Sequence, residues 1–234
     1  MAISGTRRDV AWQREDTVAS YGKSRQGIPF TEEQFDLVER VLRAHDVVPR
    51  RVLDLGCGDG SLLAYLQEHK NIVGVGVELN DERVIASIHK GVQVIQQNLE
   101  EGLALFDDQQ FDTVVLSQTF QSMHHTEHIL REMIRVAKHI VVSFPNFGYW
   151  PHGWSILRGR MPVTGEMPYQ WYDTPNIHLC TMRDFEDLAS DFSLRVLDIA
   201  AFKDGTEVKW LRSWRSTLAV YRLASPVAGG SQPG

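Results

Sequence analysis

Residues 51–60 read RVLDLGCGDG, a short, mostly apolar run followed by a segment with glycine at every second position. The valine and the leucines predict a buried strand, and the glycines end it. Because glycine has no Cβ, a ligand can approach the backbone of Gly56, Gly58 and Gly60 closely. We therefore expect a buried strand that leads into a ligand-binding loop.

Strand and helix patterns alternate along the chain after this loop. The sequence predicts strands over 51–55, 72–78, 92–95, 111–116, 139–144, 194–202 and 216–222, and helices over 31–45, 61–67, 81–89, 127–138 and 182–190. The first five strands are largely apolar on both faces, which is typical of a parallel sheet covered by helices. With right-handed crossovers the pattern predicts a doubly wound α/β fold.

The residues around the glycines indicate the chemistry of the ligand. In the dinucleotide fingerprint G-x-G-x-x-G the third glycine falls where Ser61 stands here. Asp54 would repel a pyrophosphate, but it suits a cationic amino group. Glu78 ends the second strand, where a carboxylate can accept both hydroxyls of a ribose. S-adenosylmethionine (SAM) has a ribose, an α-amino group, a sulfonium and no phosphate, so it is the predicted cofactor.

The segments VLDLGCGDG at 52–60 and VGVELN at 75–80 resemble motifs I and II of the class I SAM-dependent methyltransferases. The resemblance implies a Rossmann-like, doubly wound, seven-stranded sheet, mostly parallel with an antiparallel last strand. It also implies that Asn98 stands where an acid usually meets the adenine, and an amide can still accept a hydrogen bond there. The implied cofactor-binding residues are Asp54, Gly56, Cys57, Gly58, Gly60, Glu78, Leu79, Asn98, Leu99 and Ser117.

Four further segments resemble the methionine biosynthesis protein MetW family. They are VIQQ at 94–97, SFPNFG at 143–148, GRMPV at 159–163 and WYDTPNIH at 171–178. The family has the methyltransferase fold and is linked to homoserine O-acyltransferase, whose activity it supports. Its members usually begin near the first strand, whereas residues 1–45 precede that strand here. Within them, Tyr21-Gly-Lys-Ser-Arg25 resembles the N-terminal lid of small-molecule methyltransferases.

These resemblances leave two functions open. The first is an enzyme that transfers the methyl group of SAM to a small molecule, with His124 or His178 as candidate general base. The second is a MetW-type regulatory partner of homoserine O-acyltransferase. Each histidine also fits a polar loop, and the loop aromatics also fit a satellite core or a homodimer interface. The candidate substrate or lid residues are Tyr21, Arg25, Tyr169, Trp171 and Tyr172.

The net charge and the cysteines limit which partners, metals and cell compartments are expected. The 234 residues carry a net charge of -6, which argues against a nucleic acid or an anionic membrane as partner. Cys57 and Cys180 form neither a CxxC pair nor a zinc spacing, so no metal is predicted, and two isolated thiols fit a reducing cytoplasm. We expect an N-terminal lid and helix over 1–45, a SAM-binding methyltransferase domain over 46–224 with an aromatic insertion at 145–180, and a disordered tail over 225–234.

Overall fold

The computed structural model describes residues 49–164, 167, 169–174 and 176–226. The predicted lid residues Tyr21 and Arg25, the helix at 31–45 and residues 227–234 of the predicted tail lie outside these ranges. None of the helices in the described ranges has the length and apolar character that a membrane span requires.

Strands and helices follow each other in the predicted alternation. The strands are β1 Arg51–Leu55, β2 Val73–Glu78, β3 Gln93–Gln96, β4 Phe111–Ser117, β5 Ala137–Pro145, β6 Arg195–Lys203, β7 Thr206–Glu207 and β8 Leu218–Ala224. The helices are α1 Ser61–Lys70, α2 Asp81–His89, α3 Thr126–Val136, α4 Trp150–Leu157, α5 Met182–Asp191 and α6 Arg212–Arg215. Short 3₁₀ turns at Leu99–Glu101 and Phe120–Ser122 follow β3 and β4.

The strands form one mixed sheet in the order β3-β2-β1-β4-β5-β8-β6-β7. Strands β1 to β5 are parallel, whereas β8 is antiparallel to both β5 and β6. The direction of winding reverses between β1 and β4, because β2 and β3 lie on one side of β1 while β4 and β5 lie on the other. Such a reversal leaves a crevice at the carboxyl ends of the strands, where ligands bind in open α/β sheets.

The two faces of the sheet carry separate apolar clusters, because successive side chains of a strand point to opposite faces. Leu53 and Leu55 lie in the cluster that includes buried residues of α3 and α5. Val52 lies in the other cluster, with the buried leucines of α1. The first cluster contains an aromatic group in which Phe185 is 4.9 Å from Phe144 and 4.7 Å from Tyr221, measured between ring centroids. These faces fix the helices over the sheet and leave its carboxyl edge to the loops.

The predicted fold class is confirmed, with three differences in detail. The sheet has eight strands, because β7 adds a two-residue pair with β6 that is too short to give a sequence pattern. The insertion at 145–180 contains a helix, α4, which begins with Pro151 in its first turn. Ser225, assigned above to the tail, is buried and hydrogen-bonded to the carbonyls of Lys138 and Ile134, so the ordered chain passes the expected boundary.

Candidate functional site

The crevice at the reversal point lies between the loops that follow β1 and β4. Leu55 of β1 is the register partner of Leu116 of β4, so Gly56 and Ser117 leave the sheet side by side. The loop after β2 joins the same edge, because Leu55 is also the register partner of Val77. Three loops that the sequence analysis assigned to the cofactor therefore meet at one place.

The loop after β1 needs glycine for its backbone conformation. The φ angles are 66° at Gly56, 61° at Gly58 and 74° at Gly60, all in the left-handed region that disfavours other residues. The N–H groups of Gly56 and Cys57 both donate to the carbonyl of Val77, at 2.8 and 3.1 Å. The loop is thus fixed against the end of β2, and a Cβ built on Gly58 would point into open space.

Glu78 holds this loop to the turn after β2. Its Oε2 accepts the N–H of Gly58 at 2.9 Å, and its Oε1 accepts the N–H groups of Leu79 and Asn80, each at 3.0 Å. The side chain is buried, so a carboxylate without such donors would be costly here. The sequence placed Glu78 beside the glycines but did not indicate that it organises their loop.

Ser87 of α2 is a supporting residue that the sequence reasoning missed. Its Oγ donates to the carbonyl of Gly58 at 3.1 Å, and the residue is fully buried. A Cβ built on Gly60 would lie 2.9 Å from that Oγ, so only glycine lets the loop approach α2 this closely. A serine among the polar residues of an amphipathic helix gives no sequence signal of this contact.

Asp59 and Ser61 are tied to α2 by Lys90, whose Nζ donates to the carboxylate of Asp59 and the hydroxyl of Ser61. Partial burial raises the pKa of Asp59, but the hydrogen bonds from Lys90 and Ser61 outweigh it and hold that pKa below its usual value. The loop between β1 and α1 is therefore attached to α2 at both Gly58 and Asp59.

Cys57 is a packing residue in this structure. Burial, followed by the nearby charges of Asp54 and Glu78, raises the pKa of its thiol well above the ordinary value. A Cβ built on Gly76 would lie 2.5 Å from its Sγ, so the thiol fills the space that this glycine leaves. A protonated, buried thiol is a poor nucleophile. Asp54 itself is buried at the end of β1, close enough to Cys57 to influence it.

The segment after β3 forms the side of the crevice predicted for the adenine. The side chain of Asn98 caps the 3₁₀ turn by accepting the N–H of Glu100 at 3.1 Å. Leu99 is buried, whereas Leu79 is 46% exposed and has the larger accessible apolar surface of the two. The N–H of Gln97 donates to the carbonyl of Glu78 at 3.1 Å, which ties this segment to the predicted ribose site.

The loop after β4 is held to β5 by a pair of serines. The hydroxyls of Ser117 and Ser143 are 2.8 Å apart, and the N–H of Gln118 donates to the Ser143 carbonyl at 2.9 Å. Gln118 has a φ of 48°, a left-handed conformation that is uncommon outside glycine. Ser117 therefore lies at the edge of the crevice, with its hydroxyl engaged by β5.

Glu100 connects the predicted adenine side to the loop that carries two histidines. Its carboxylate accepts the N–H of His124 at 2.6 Å and the N–H of His125 at 3.1 Å, and it lies 3.0 Å from the Nδ1 of His125. Both histidines are exposed. The contact fixes the backbone of His124 while its ring stays at the surface.

The aromatic insertion joins the site through Gln121. The N–H groups of Ile177 and His178 both donate to the Gln121 carbonyl at 2.9 Å. The amide nitrogen of Gln121 donates to the Gln118 carbonyl at 2.9 Å, whereas its Oε1 is buried without a partner among the described atoms. His178 is therefore brought to the loop after β4 by Gln121, a residue that the sequence reasoning missed.

The three predicted substrate aromatics of the insertion lie at or near the surface. Trp171 and Tyr172 are 70% and 72% exposed and pack edge to face on each other, with 5.6 Å between ring centroids. Tyr169 is half-buried. In the described part of the chain these residues do not form a closed aromatic pocket.

The sheet order and the glycine loop of this chain are those of the Rossmann-like methyltransferase fold, which is its class. Within that class, the family model described as methionine biosynthesis protein MetW matches residues 33–223. The chain therefore belongs to the MetW family. The match begins before β1, so part of the segment that the sequence analysis treated as an addition lies within the family's own extent.

A curated relative comes from Rhodopirellula baltica and is named bifunctional methionine biosynthesis protein MetXA/MetW. The two sequences are 37% identical over 163 residues, which is 65% of this chain and 26% of the relative. The chain thus spans about a quarter of the length of that curated relative.

Solved structures share the fold at low sequence identity. A possible histamine N-methyltransferase from Thermotoga maritima superposes with a TM-score of 0.60 and 16% identity, covering 88% of this chain and 98% of that chain. Magnesium protoporphyrin IX methyltransferase from Synechocystis, solved with S-adenosylhomocysteine (SAH), gives 0.58 and 15%, covering 94% and 89%. A methyltransferase-like protein complexed with the activator Trm112 from Haloferax volcanii gives 0.60 and 16%, covering 90% and 95%.

Proposed function

We propose that this chain binds SAM in the crevice between β1 and β4 and transfers its methyl group to a small molecule. The observation that carries the proposal is the buried Glu78 carboxylate, which accepts the N–H of Gly58 at 2.9 Å. This hydrogen bond places an acid beside the glycine loop at the point where the winding of the sheet reverses. Proteins with this fold include one solved with SAH.

Each loop would hold one part of the cofactor. The backbone of 56–60 takes the methionine part, and the buried carboxylate of Asp54 balances its amino group. Glu78 takes the ribose, while Asn98, Leu79 and Leu99 take the adenine. Ser117 and Cys57 complete the walls. This assignment is the one that the resemblance to the class I methyltransferases implies, and the order of the loops along the sheet edge supports it.

The hydrogen bonds of Glu78 limit how it can bind a ribose. A carboxylate offers about four lone-pair positions, and three backbone N–H groups already occupy three of those on Glu78. One ribose hydroxyl can be accepted directly. That hydroxyl would share Oε2 with the N–H of Gly58, so a second hydroxyl has to displace one of the three N–H groups. We propose that it displaces the N–H of Gly58 and that the glycine loop adjusts when the cofactor binds.

Methyl transfer asks the protein mainly for alignment. SAM supplies an electrophilic methyl group on a sulfonium, which is an excellent leaving group. The protein has to hold the acceptor atom in line with that methyl at roughly 3 Å. On the acceptor side, the Oε1 of Gln121 is buried without a partner among the described atoms, and we propose that it accepts an N–H or O–H group of the methyl acceptor. His178, held next to Gln121, or His124 would take the proton that such a group loses.

The segments outside the described residues complete the proposal. We propose that residues 1–45 include the lid, with Tyr21 and Arg25 closing over the crevice. Among the described residues, we propose that Tyr169, Trp171 and Tyr172 face the acceptor. The methyltransferase domain then extends from residue 46 to the buried Ser225, with its aromatic insertion at 145–180, and the tail follows it. We also propose a cytoplasmic location, with neither a nucleic acid nor a membrane as partner.

Two measurements test the enzyme proposal in sequence. Calorimetry with SAM and SAH should show binding at one site, and radiolabelled methyl-SAM incubated with the full chain and a small-molecule extract should give a labelled product. Binding without any labelled product would contradict the catalytic part, and no binding of either compound would contradict the cofactor assignment.

A second candidate is a MetW-type regulatory partner of homoserine O-acyltransferase that responds to SAM. It is favoured by the family membership and by a relative in which the matching unit is part of a longer bifunctional chain named MetXA/MetW. Copurification with the acyltransferase, and a change of its rate on adding this chain, would support the candidate. Independent elution of the two proteins together with an unchanged rate would exclude it.

A further inference from the structure

Large apolar side chains are exposed on α4 and around α6. A folded protein usually buries such a group of side chains or covers it with a partner. We call these residues the tryptophan surface. Its members are Trp150, Trp154, Leu157, Trp210, Leu211 and Trp214, with exposures of 57%, 51%, 80%, 68%, 49% and 65%. Scattered single residues of this kind need no explanation, but four tryptophans on two neighbouring segments do.

Hydrogen bonds at the end of β5 bring the two segments together. The side-chain nitrogen of Asn146, which is fully buried, donates to the carbonyls of Ser213 and Ser216 at 2.8 and 2.9 Å. Gly148 lies so close to α6 that a Cβ built on it would be 3.1 Å from the Ser213 carbonyl. The segment that leads from β5 into α4 therefore lies against α6.

The surface is basic although the whole chain is acidic. The guanidinium of Arg158 lies 5.0 Å from the ring centroid of Trp154, and that of Arg215 lies 5.7 Å from Trp210. Residues 148–164 contain two arginines and no acid, and residues 203–215 contain four basic residues against two acids. Exposed tryptophan flanked by arginine is the composition that protein interfaces favour at their centres.

We infer that the tryptophan surface docks an acidic, apolar-centred face of the homoserine O-acyltransferase, an inference that rests on the second candidate function above. A second copy of this chain is a poorer occupant, because a two-fold interface would bring the arginines of both copies together. The exposed leucines add flat aliphatic contacts that neither a base stack nor a phosphate uses. The relative in which the matching unit is joined to a longer chain also favours a protein partner.

The position of the surface suits regulation. Asn146 follows β5, and Ser143 of β5 is hydrogen-bonded to Ser117 at the edge of the crevice. A partner on the tryptophan surface would therefore lie beside the cofactor site rather than on the far side of the sheet. The acyltransferase would thus contact the elements that frame that site.

The experiment measures binding of the full chain to the purified acyltransferase of the same organism by surface plasmon resonance. The test variants are Trp154→Ala with Trp214→Ala, and Arg158→Glu with Arg215→Glu. The control is Leu105→Ala, because Leu105 is equally exposed, at 67%, but precedes β4 at the opposite edge of the sheet. All variants should bind SAH like the unaltered chain, which shows that they fold.

We expect each double variant to weaken acyltransferase binding by roughly tenfold or more, and the control to stay within about twofold. The arginine variant should also lower the dependence of binding on salt. Equal binding by all variants would overturn the inference while leaving the second candidate function intact. No binding by the unaltered chain would overturn both, but not the SAM proposal, which calorimetry tests separately. The inference would also be overturned if the variants bound the acyltransferase normally but lost binding to anionic vesicles or RNA that the unaltered chain shows.

Discussion

Glu78 shows how one buried carboxylate can build a ligand site before any ligand arrives. Replacing it with alanine removes the acceptor of three backbone N–H groups and the proposed ribose contact. We expect SAH binding to weaken by about 1–3 kcal/mol, or roughly fivefold to 150-fold. Calorimetry checks this, with Glu82→Ala, an exposed acid in the first turn of α2, as the matched control. Unchanged affinity in Glu78→Ala would contradict the ribose assignment.

Ser87 gives the second prediction at the scale of a residue. Ser87→Ala removes a buried hydroxyl that donates to the Gly58 carbonyl at 3.1 Å, without removing any other heavy atom. We expect a loss of about 1 kcal/mol in the free energy of unfolding, because a buried acceptor is left unpaired, and a few-fold weaker SAH affinity. Urea unfolding and calorimetry measure the two effects. Ser190→Ala, at an exposed position of α5, should change neither.

At the scale of elements, the strands were predictable because buried parallel strands are continuous apolar runs. Their loops were predictable because glycine, an acid or an amide stands at or near the end of each run. The same pattern correctly placed Gly56, Glu78 and Ser117 at one sheet edge. It could not give α4, since proline, glycine and tryptophan around 150–154 mask a helical period. Contacts such as that of Gln121 with 177–178 depend on how the insertion returns, which no local pattern records.

The ion pair between Glu132 and Arg135 on helix α3 should make the stability of the protein depend on pH. Glu132 accepts the N–H of Leu103 at 2.8 Å and the Nη2 of Arg135 at 2.9 Å, and Arg135 also reaches the carbonyls of Leu103 and Phe106. The hydrogen bond from Arg135 is the main cause that lowers the pKa of Glu132, against an opposing effect of partial burial. The folded state therefore favours the ionised carboxylate.

The sign of the effect follows from this direction. A folded pKa below the unfolded value of about 4.3 gives stability that is fully present above that value and is lost as the pH falls through the folded pKa. We expect Glu132→Gln to destabilise the protein by about 1–3 kcal/mol near neutral pH, with the difference disappearing in acid. Urea unfolding from about pH 7 to 3 measures this. Glu127→Gln on the same helix, whose ion pair is exposed, should stay within about 0.5 kcal/mol throughout. A difference for Glu132→Gln that stays constant with pH would contradict the explanation.

At the scale of the whole molecule, the fold and the MetW family do not by themselves separate an enzyme from a regulator. Both candidate functions need the same crevice, because a regulator that responds to SAM binds it with the same loops as an enzyme. They differ in the loops beside that crevice: the proposed enzyme would use Gln121 and His178, whereas the proposed regulator would use the tryptophan surface after β5. Gln121→Leu should therefore abolish methyl transfer while leaving acyltransferase binding intact.

The choice between SAM and a dinucleotide can be tested on the intact chain by thermal unfolding. A ligand that binds only the folded state at about a hundred times its dissociation constant adds about 2.7 kcal/mol, which in a domain of this size raises Tm by roughly 5–10 °C. We expect SAH to give such a shift and NAD to give none, because Asp54 and Glu78 offer two buried acids and no donor for a pyrophosphate. Glu78→Ala should reduce the SAH shift at the same ligand concentration. An equal shift with NAD would mean that the acids do not select the ligand, and the crevice would then have to be assigned to a nucleotide in general.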